Sequence, residues 1–239
     1  MITLSDRAVW SFPRGGRVEN DVRFARPLMS MTDAARHLGI PQQTFHRWAR
    51  GYPHGGPLLH VSEPESIRQA SVPFIALAEA WVLEGLRQAG VRPQKIRPAL
   101  KKLQNEFGRE YVLVSPALVT DGISVLWDFS KTEAGAGLIE GRSGQTVIRE
   151  IVQDYLTYVG FGTDDYPNHL KLRTFEPSKV AIDPYRSSGQ PVFVGSGARV
   201  SNVAAMLKAG EEPAVVAEEH GIGIEAVRAA ARVLLGRAA

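Results

Sequence analysis

Six side chains between positions 42 and 50 could hydrogen-bond to nucleic acid: Gln42, Gln43, Thr44, His46, Arg47 and Arg50. Amides, a hydroxyl and an imidazole can donate to or accept from base edges, and a guanidinium fork suits guanine or phosphate. Groups of this kind read a sequence only when a rigid element holds them on one side. Phe45, Trp48 and Ala49 recur on the other side at helical spacing. That spacing predicts a helix anchored by its apolar face, with the polar groups outward.

The preceding residues say how this helix is held. Ser30 with Asp33 three residues on is a capping-box pattern, so a first helix begins at Met31 or Thr32 and buries Ala34, Ala35 and Leu38. Gly39 ends it, Ile40 is kept extended by Pro41, and the proline suits the first turn of the second helix. A helix-turn-helix needs a small residue at the crossing, a glycine in the turn and an apolar anchor, and Ala35, Gly39 and Phe45 supply them. The same offsets recur in Ala217, Gly221 and Val227, which predicts a second copy. Its outward residues are read as Glu225, Ala226, Ala229 and Ala230, which repel phosphate or offer it no hydrogen bond, so this copy is expected to meet protein.

Composition narrows the function classes. The 239 residues are 44% hydrophobic and 22% charged, enough for one core or two small domains. With no cysteine, thiolate metal sites, disulfides and thiol nucleophiles are excluded. His37, His46, His54 and His60 read mostly as surface groups, and neither a metal nor a cofactor is expected. The acid–base candidates Asp164, Asp165, Asp183 and His220 fall in a loop, beside a strand and at a helix end, so the chain is not expected to be an enzyme. The stretch Gly195 to Arg199 lacks the lysine of a phosphate loop and reads as a hairpin turn. No apolar run is long enough for a signal sequence or a membrane span, which points to the cytoplasm. Residues 1–110 carry 16 Lys and Arg against 10 Asp and Glu, while residues 111–239 carry 12 against 15. The front half therefore favours an anionic partner, nucleic acid above all.

The expected fold class is mainly α with short β-hairpins. Residues 1–27, with Arg7, Arg14, Arg17, Arg23 and Arg26, read as a loosely packed basic arm. A winged helix-turn-helix is expected over 28–110, its wing a β-ribbon built from "GYPHGGP" and the following Leu58, Leu59 and Val61. Two amphipathic helices come next, one from Pro73 to Gly90 and one from Pro93 to Phe107. One recognition helix covers too few base pairs to specify a promoter, so a homodimer is expected, with Ile96, Leu100 and Leu103 as its candidate interface. Residues 111–173 read as a linking region: a β-hairpin from Val112 to Phe129 around Asp121-Gly122, a helix from Thr146 to Val159, and a loop to Arg173. Residues 174–239 read as a helix-turn-helix-like domain with a short β-hairpin.

Two stretches carry a family resemblance. "SMTDAARHLGIPQQTFHRWARGY", with the Gly/Pro-rich wing and the helices holding Leu77, Glu79, Leu86 and Ile96, resembles the winged helix-turn-helix of MerR-type regulators. Residues 180–233, from an Ile-Asp-Pro strand through Gly-x-Pro-Val to a helical end, resemble a small C-terminal domain common in antitoxin-like proteins. The combination is similar to a VapB-type antitoxin, the partner of a PIN-domain ribonuclease. The resemblance implies a dimer that binds double-stranded DNA at its own operon promoter and blocks a toxin whose acidic site holds Mg²⁺ and cuts RNA. Most VapB proteins are far shorter and carry a disordered toxin-binding tail. Here Arg228, Arg232 and Arg237 are the expected toxin contacts, since a guanidinium fork suits the metal-binding carboxylates of an acidic nuclease. The alternative is a MerR-like regulator without a toxin, responding to a small molecule held by the middle hairpin.

Overall fold

The computed structural model describes residues 20–52, 56–63, 66, 69–140 and 144–236. It opens with α1 (Val22–Ala25) and β1 (Pro27–Met29), followed by α2 (Met31–Leu38) and α3 (Gln42–Arg50). β2 (Val72–Pro73) pairs antiparallel with β1 and leads into α4 (Phe74–Gln88). Every residue of α4 from Phe74 to Leu86 is buried, the carboxylates of Glu79 and Glu84 included, and α4 is the central element. Three more helices complete this layer: α5 (Arg97–Phe107), α6 (Ile123–Ser130) and α7 (Gln145–Leu156).

A four-stranded antiparallel meander follows, made of β3 (Val159–Phe161), β4 (Pro167–Lys171), β5 (Val180–Ile182) and β6 (Val192–Phe193). The chain ends in α8 (Val200–Ala209), α9 (Pro213–His220) and α10 (Ile224–Ala230), the last continuing into a π-turn over Ala231–Leu235. Among the described residues there are thus ten α-helices and two small antiparallel sheets, a mainly helical fold with a helix-turn-helix in front. A single apolar core runs from Leu28 to Ala230. None of the described helices is long and apolar enough to cross a membrane.

Several expected elements take another form. The hairpin expected from Val112 to Phe129 is helical: a 3₁₀ turn at Val112–Val114, a π-turn at Leu118–Gly122, then α6. Asp121-Gly122 is no hairpin turn, because Gly122 has helical angles (φ −62°, ψ −36°) and lies close against Leu118 and the Ala117 carbonyl, where a methyl group would be crowded, with Leu103 in van der Waals reach. The buried residues Leu118, Ile123, Leu126 and Phe129 are spaced three to five apart, which suits a helix packed on one side better than a strand. The expected loop from 160 to 173 contains the β3–β4 hairpin instead, with Val159 opposite Leu170 and Gly160 opposite His169.

In the region expected to form the wing, Leu58 and Leu59 are buried in bends, and the described residues there form no strand; the nearby ribbon is β1 with β2. Arg23 does not belong to a loose arm: its guanidinium is held between the carboxylates of Asp21 and Asp164 and lies over the rings of Phe24 and Tyr166. Arg7, Arg14 and Arg17 lie outside the described residues. Ile96, Leu100 and Leu103, the candidate dimer face, are buried within the chain, where α5 packs on α6 and the Val112–Val114 turn. In α10, Ala226, Ala229 and Ala230 are core residues rather than outward ones. The hairpin of β5 and β6 and the helices after it lie where they were expected, and Gly195 to Ala198 form a tight turn after β6 that brings Arg199 back beside Val192, with Phe193 N–H donating to the Ala198 carbonyl.

Candidate nucleic-acid interface

The front corner is built as its residue types require. Ser30 caps α2, its hydroxyl oxygen accepting from the Asp33 amide at 3.2 Å while the Asp33 carboxylate accepts from the same hydroxyl. Gly39 ends α2 in the left-handed conformation (φ 69°, ψ 21°), and its amide satisfies carbonyls at Ala35 and Arg36. Pro41 is extended (φ −54°, ψ 132°) and stands just before α3 rather than inside its first turn, its carbonyl accepting from Phe45 N–H at 3.0 Å. Ala34, Ala35, Phe45 and Trp48 are fully enclosed where α2 crosses α3.

That anchoring fixes the rotation of α3. Gln42, Gln43, Arg47 and Arg50 are exposed, and Thr44 and His46 are half-buried beside them. Among the described residues, none of these six side chains makes a hydrogen bond or ion pair. The Arg47 guanidinium lies 5.9 Å from the centroid of the Tyr52 ring, which steadies it without using its donors. Burial first, then the nearby Arg50 charge, lower the pKa of His46 and favour its neutral form, with one ring nitrogen able to accept. The arrangement is a rigid helix face of donors and acceptors with excess positive charge.

The rear arginines are differently placed. Arg228 is exposed and donates to Glu225 at 2.7 Å, while Arg232 donates to the carbonyls of Thr174 and Glu176 at 3.2 and 3.3 Å. Arg237 lies outside the described residues. Thr174 also donates to the His37 carbonyl at 2.6 Å, so the end of α2 and the end of the last helix meet at one turn. A cleft of about 330 Å³ opens beside this junction, lined in part by Met29, Asp33, His37, Gln190, Ala204 and Leu234.

The histidines read mostly as surface groups, and the His60 side chain remains 39% exposed, but His37 does not fit that reading. Instead the His37 ring is 8% exposed and stacks on Phe175, and burial pushes its pKa down to about 4. His60 is held by the buried carboxylate of Glu79, which accepts from its Nδ1 at 2.7 Å and from its amide at 3.0 Å. His54 lies outside the described residues. The acid–base candidates do not form one cluster: Asp164 pairs with Arg23, Asp165 with Arg109 and Asp183 with Arg186, while His220 at the end of α9 has no hydrogen-bond partner for its Nε2 among the described residues. The approach of Tyr52 to Arg47 has no helical-spacing signal in the sequence, because Tyr52 lies past the end of α3 and reaches Arg47 only after the chain turns at Gly51.

Residues 27–100 match a family described as "Putative DNA-binding HTH domain", and residues 180–232 match one described as "Protein of unknown function (DUF433)". The crystal structure of Rv2018 from Mycobacterium tuberculosis has a TM-score of 0.72 with this chain at 36% identity, covering 87% of this chain and 99% of that one. "Uncharacterized protein Rv2308" of the same organism is 24% identical over 205 residues, 80% of this chain and 83% of the relative. "Putative antitoxin VapB45" of M. tuberculosis is 37% identical over 230 residues, 89% of this chain and 96% of the relative. With identity at that level along nearly the whole of both chains, the protein belongs to the family of M. tuberculosis VapB45.

Proposed function

We propose that this protein is the antitoxin of a toxin–antitoxin pair and that it binds double-stranded DNA at its own operon promoter through α3. The observation that carries the DNA reading is the outward face of α3, where Gln42, Gln43, Thr44, His46, Arg47 and Arg50 stand free over a buried Phe45–Trp48 anchor. A helix docked in the major groove needs such a face, with its N-terminal residues toward the bases, in the manner of MerR-type regulators. Membership of the VapB45 family supports the antitoxin reading, and the partner in this reading is a PIN-domain ribonuclease. In this role the protein acts by binding in the cytoplasm, without catalysis or cofactor.

Of the arginines assigned to the toxin, Arg232 already serves two backbone carbonyls. Arg228 therefore carries the assignment among the described residues, exchanging its exposed Glu225 partner for a toxin carboxylate. Arg237 is kept as a third contact. The homodimer that paired half-sites require uses a face other than the apolar side of α5. A fluorescence-anisotropy titration on a duplex from upstream of the gene tests the DNA half: Gln43→Ala with Arg47→Ala weakens binding, and equal affinity of wild type and variant refutes it. Co-purification with the product of the adjacent gene tests the other half, since Arg228→Glu in the full-length chain is expected to abolish capture and restore RNA cleavage.

The cleft between α2 and α8 supports a second reading, a regulator that answers a small molecule, with this cleft in the place of the expected middle hairpin. A ligand-induced melting shift in the absence of toxin, abolished by Ala204→Trp, favours it.

A further inference from the structure

We infer that the outward face of α5 is a second contact to DNA, made to the phosphate backbone and independent of base sequence, an inference that rests on the DNA-binding reading of α3. The apolar side of α5 is in the core, and what it leaves outward is Arg97, Pro98, Lys101, Lys102, Asn105 and Glu106. Arg97, Lys101 and Lys102 make no salt bridge among the described residues, and Glu106, the one carboxylate of the face, stands at its far end. Arg97 and Lys101 are one turn apart, so their charges point the same way.

A hydrogen bond and a close approach bring this face near the end of α3. The Leu58 amide donates to the Trp48 carbonyl at 2.8 Å, folding the chain after α3 back on its last helical turn. Gly56, two residues earlier, lies against the Arg97 guanidinium: a Cβ built on it would be 3.4 Å from Nη2. Chain geometry then limits the Arg97 charge to about 14 Å from the end of α3, the turn that carries Arg47 and Arg50. At about 3.4 Å of duplex axis per phosphate on each strand, that distance spans a few phosphates beside the groove α3 would occupy. Nearby Glu79 is buried and engaged with His60, and Glu110 is also drawn toward that histidine. The exposed field of α5 is therefore positive. Lysines here offer point charges without the fixed fork that base reading favours, which suits phosphate.

The experiment compares two duplexes of equal length, one from upstream of the gene and one scrambled, over a range of salt concentrations. The triple variant Arg97→Ala, Lys101→Ala, Lys102→Ala is expected to lose affinity by the same factor for both duplexes. Its slope of log affinity against log salt becomes shallower by about 2 to 3, at roughly 0.9 for each phosphate no longer neutralised. The charge-conserving triple Arg97→Lys, Lys101→Arg, Lys102→Arg restores both, and Lys102→Glu alone moves them in the direction of the alanine triple. The inference is overturned if the alanine triple keeps the wild-type slope and affinity while Gln43→Ala with Arg47→Ala weakens binding, a result that leaves the DNA reading standing. Loss confined to the upstream duplex also overturns it, since that is base reading. A wild-type chain that binds neither duplex removes both readings together.

Discussion

At the scale of single residues, opposite faces of α3 do different work, and substitutions separate them. Phe45 is fully enclosed, so Phe45→Ala is expected to lower stability by about 3 to 5 kcal/mol through transfer and cavity terms, read by urea denaturation. Arg47→Ala leaves stability almost untouched and weakens DNA binding by about 1 to 3 kcal/mol. His37 adds a pH dependence. Buried and without a partner for Nδ1, it stays neutral in the fold until about pH 4, whereas in the unfolded chain it takes a proton near pH 6.5. The fold's advantage is therefore present above pH 6.5 and is lost as pH falls from 6.5 toward 4, amounting to roughly 3 kcal/mol at 1.36 kcal/mol per pH unit. His37→Phe, which keeps the stack on Phe175, is expected to flatten the loss of stability across that window, and an unchanged slope counts against the assignment. His60 works in the other direction: burial lowers its pKa, but Glu79 and Glu110 outweigh it and the net shift is upward. Its contribution is complete below pH 6.5 and is lost as pH rises through the folded value, a slope that Glu79→Gln removes.

At the scale of elements, what could be read in advance depended on whether the local chemistry has one meaning or two. Ser30 with Asp33, Gly39, and Pro41 after Ile40 admit little except helix, turn and helix, and α2 and α3 lie at the expected places. Asp121-Gly122 among β-branched residues is ambiguous, because the glycine of a hairpin turn and the glycine of a tightly packed helix look the same until Leu103 is known to lie across from it. Ala226, Ala229 and Ala230 misled for a related reason: alanine is compatible with either face of a helix, and only the neighbouring core shows which was used. Gly39 is where an element meets the rest of the molecule, since its φ is +69° and a Cβ there would stand 2.8 Å from Thr174 Cγ2. Gly108 shares the left-handed conformation (φ +61°) with nothing within 4 Å. Gly108→Ala should therefore cost only the conformational penalty of about 1 to 2 kcal/mol, and Gly39→Ala measurably more. Combining Gly39→Ala with Thr174→Ser, which removes the offending methyl and keeps the hydroxyl bond to His37, should recover the excess; no difference between the two glycines in chemical denaturation would contradict this.

At the scale of the whole molecule, the helix-turn-helix is not a detachable module. The Gln190 side chain donates to the Leu28 carbonyl at 2.9 Å, Thr174 to that of His37, and Tyr185 to Asp21, while Gly189 lies directly on Leu28. These contacts join the rear of the chain to the start of α1, to β1 and to the end of α2. The charge split between the halves was legible in the sequence, but the joint was not, because each of its links spans more than 130 residues and none belongs to a local pattern. The joint has a consequence for stability. Removing residues 174–239 would leave β4 without β5 and uncover Leu28 and His37, exposing apolar surface and orphaning the backbone groups that Gln190 and Thr174 now satisfy. The full chain is therefore expected to unfold in one cooperative transition, with far-ultraviolet dichroism and tryptophan fluorescence coincident, the latter reporting Trp48 and Trp81 in front together with the chain's other two tryptophans. An excised 28–110 fragment is expected to lack the dispersed amide spectrum of a folded domain. Two resolved transitions in the full chain, or a folded fragment with DNA affinity equal to that of the whole, would show that the front corner stands alone and that the rear contributes nothing to holding α3 in place.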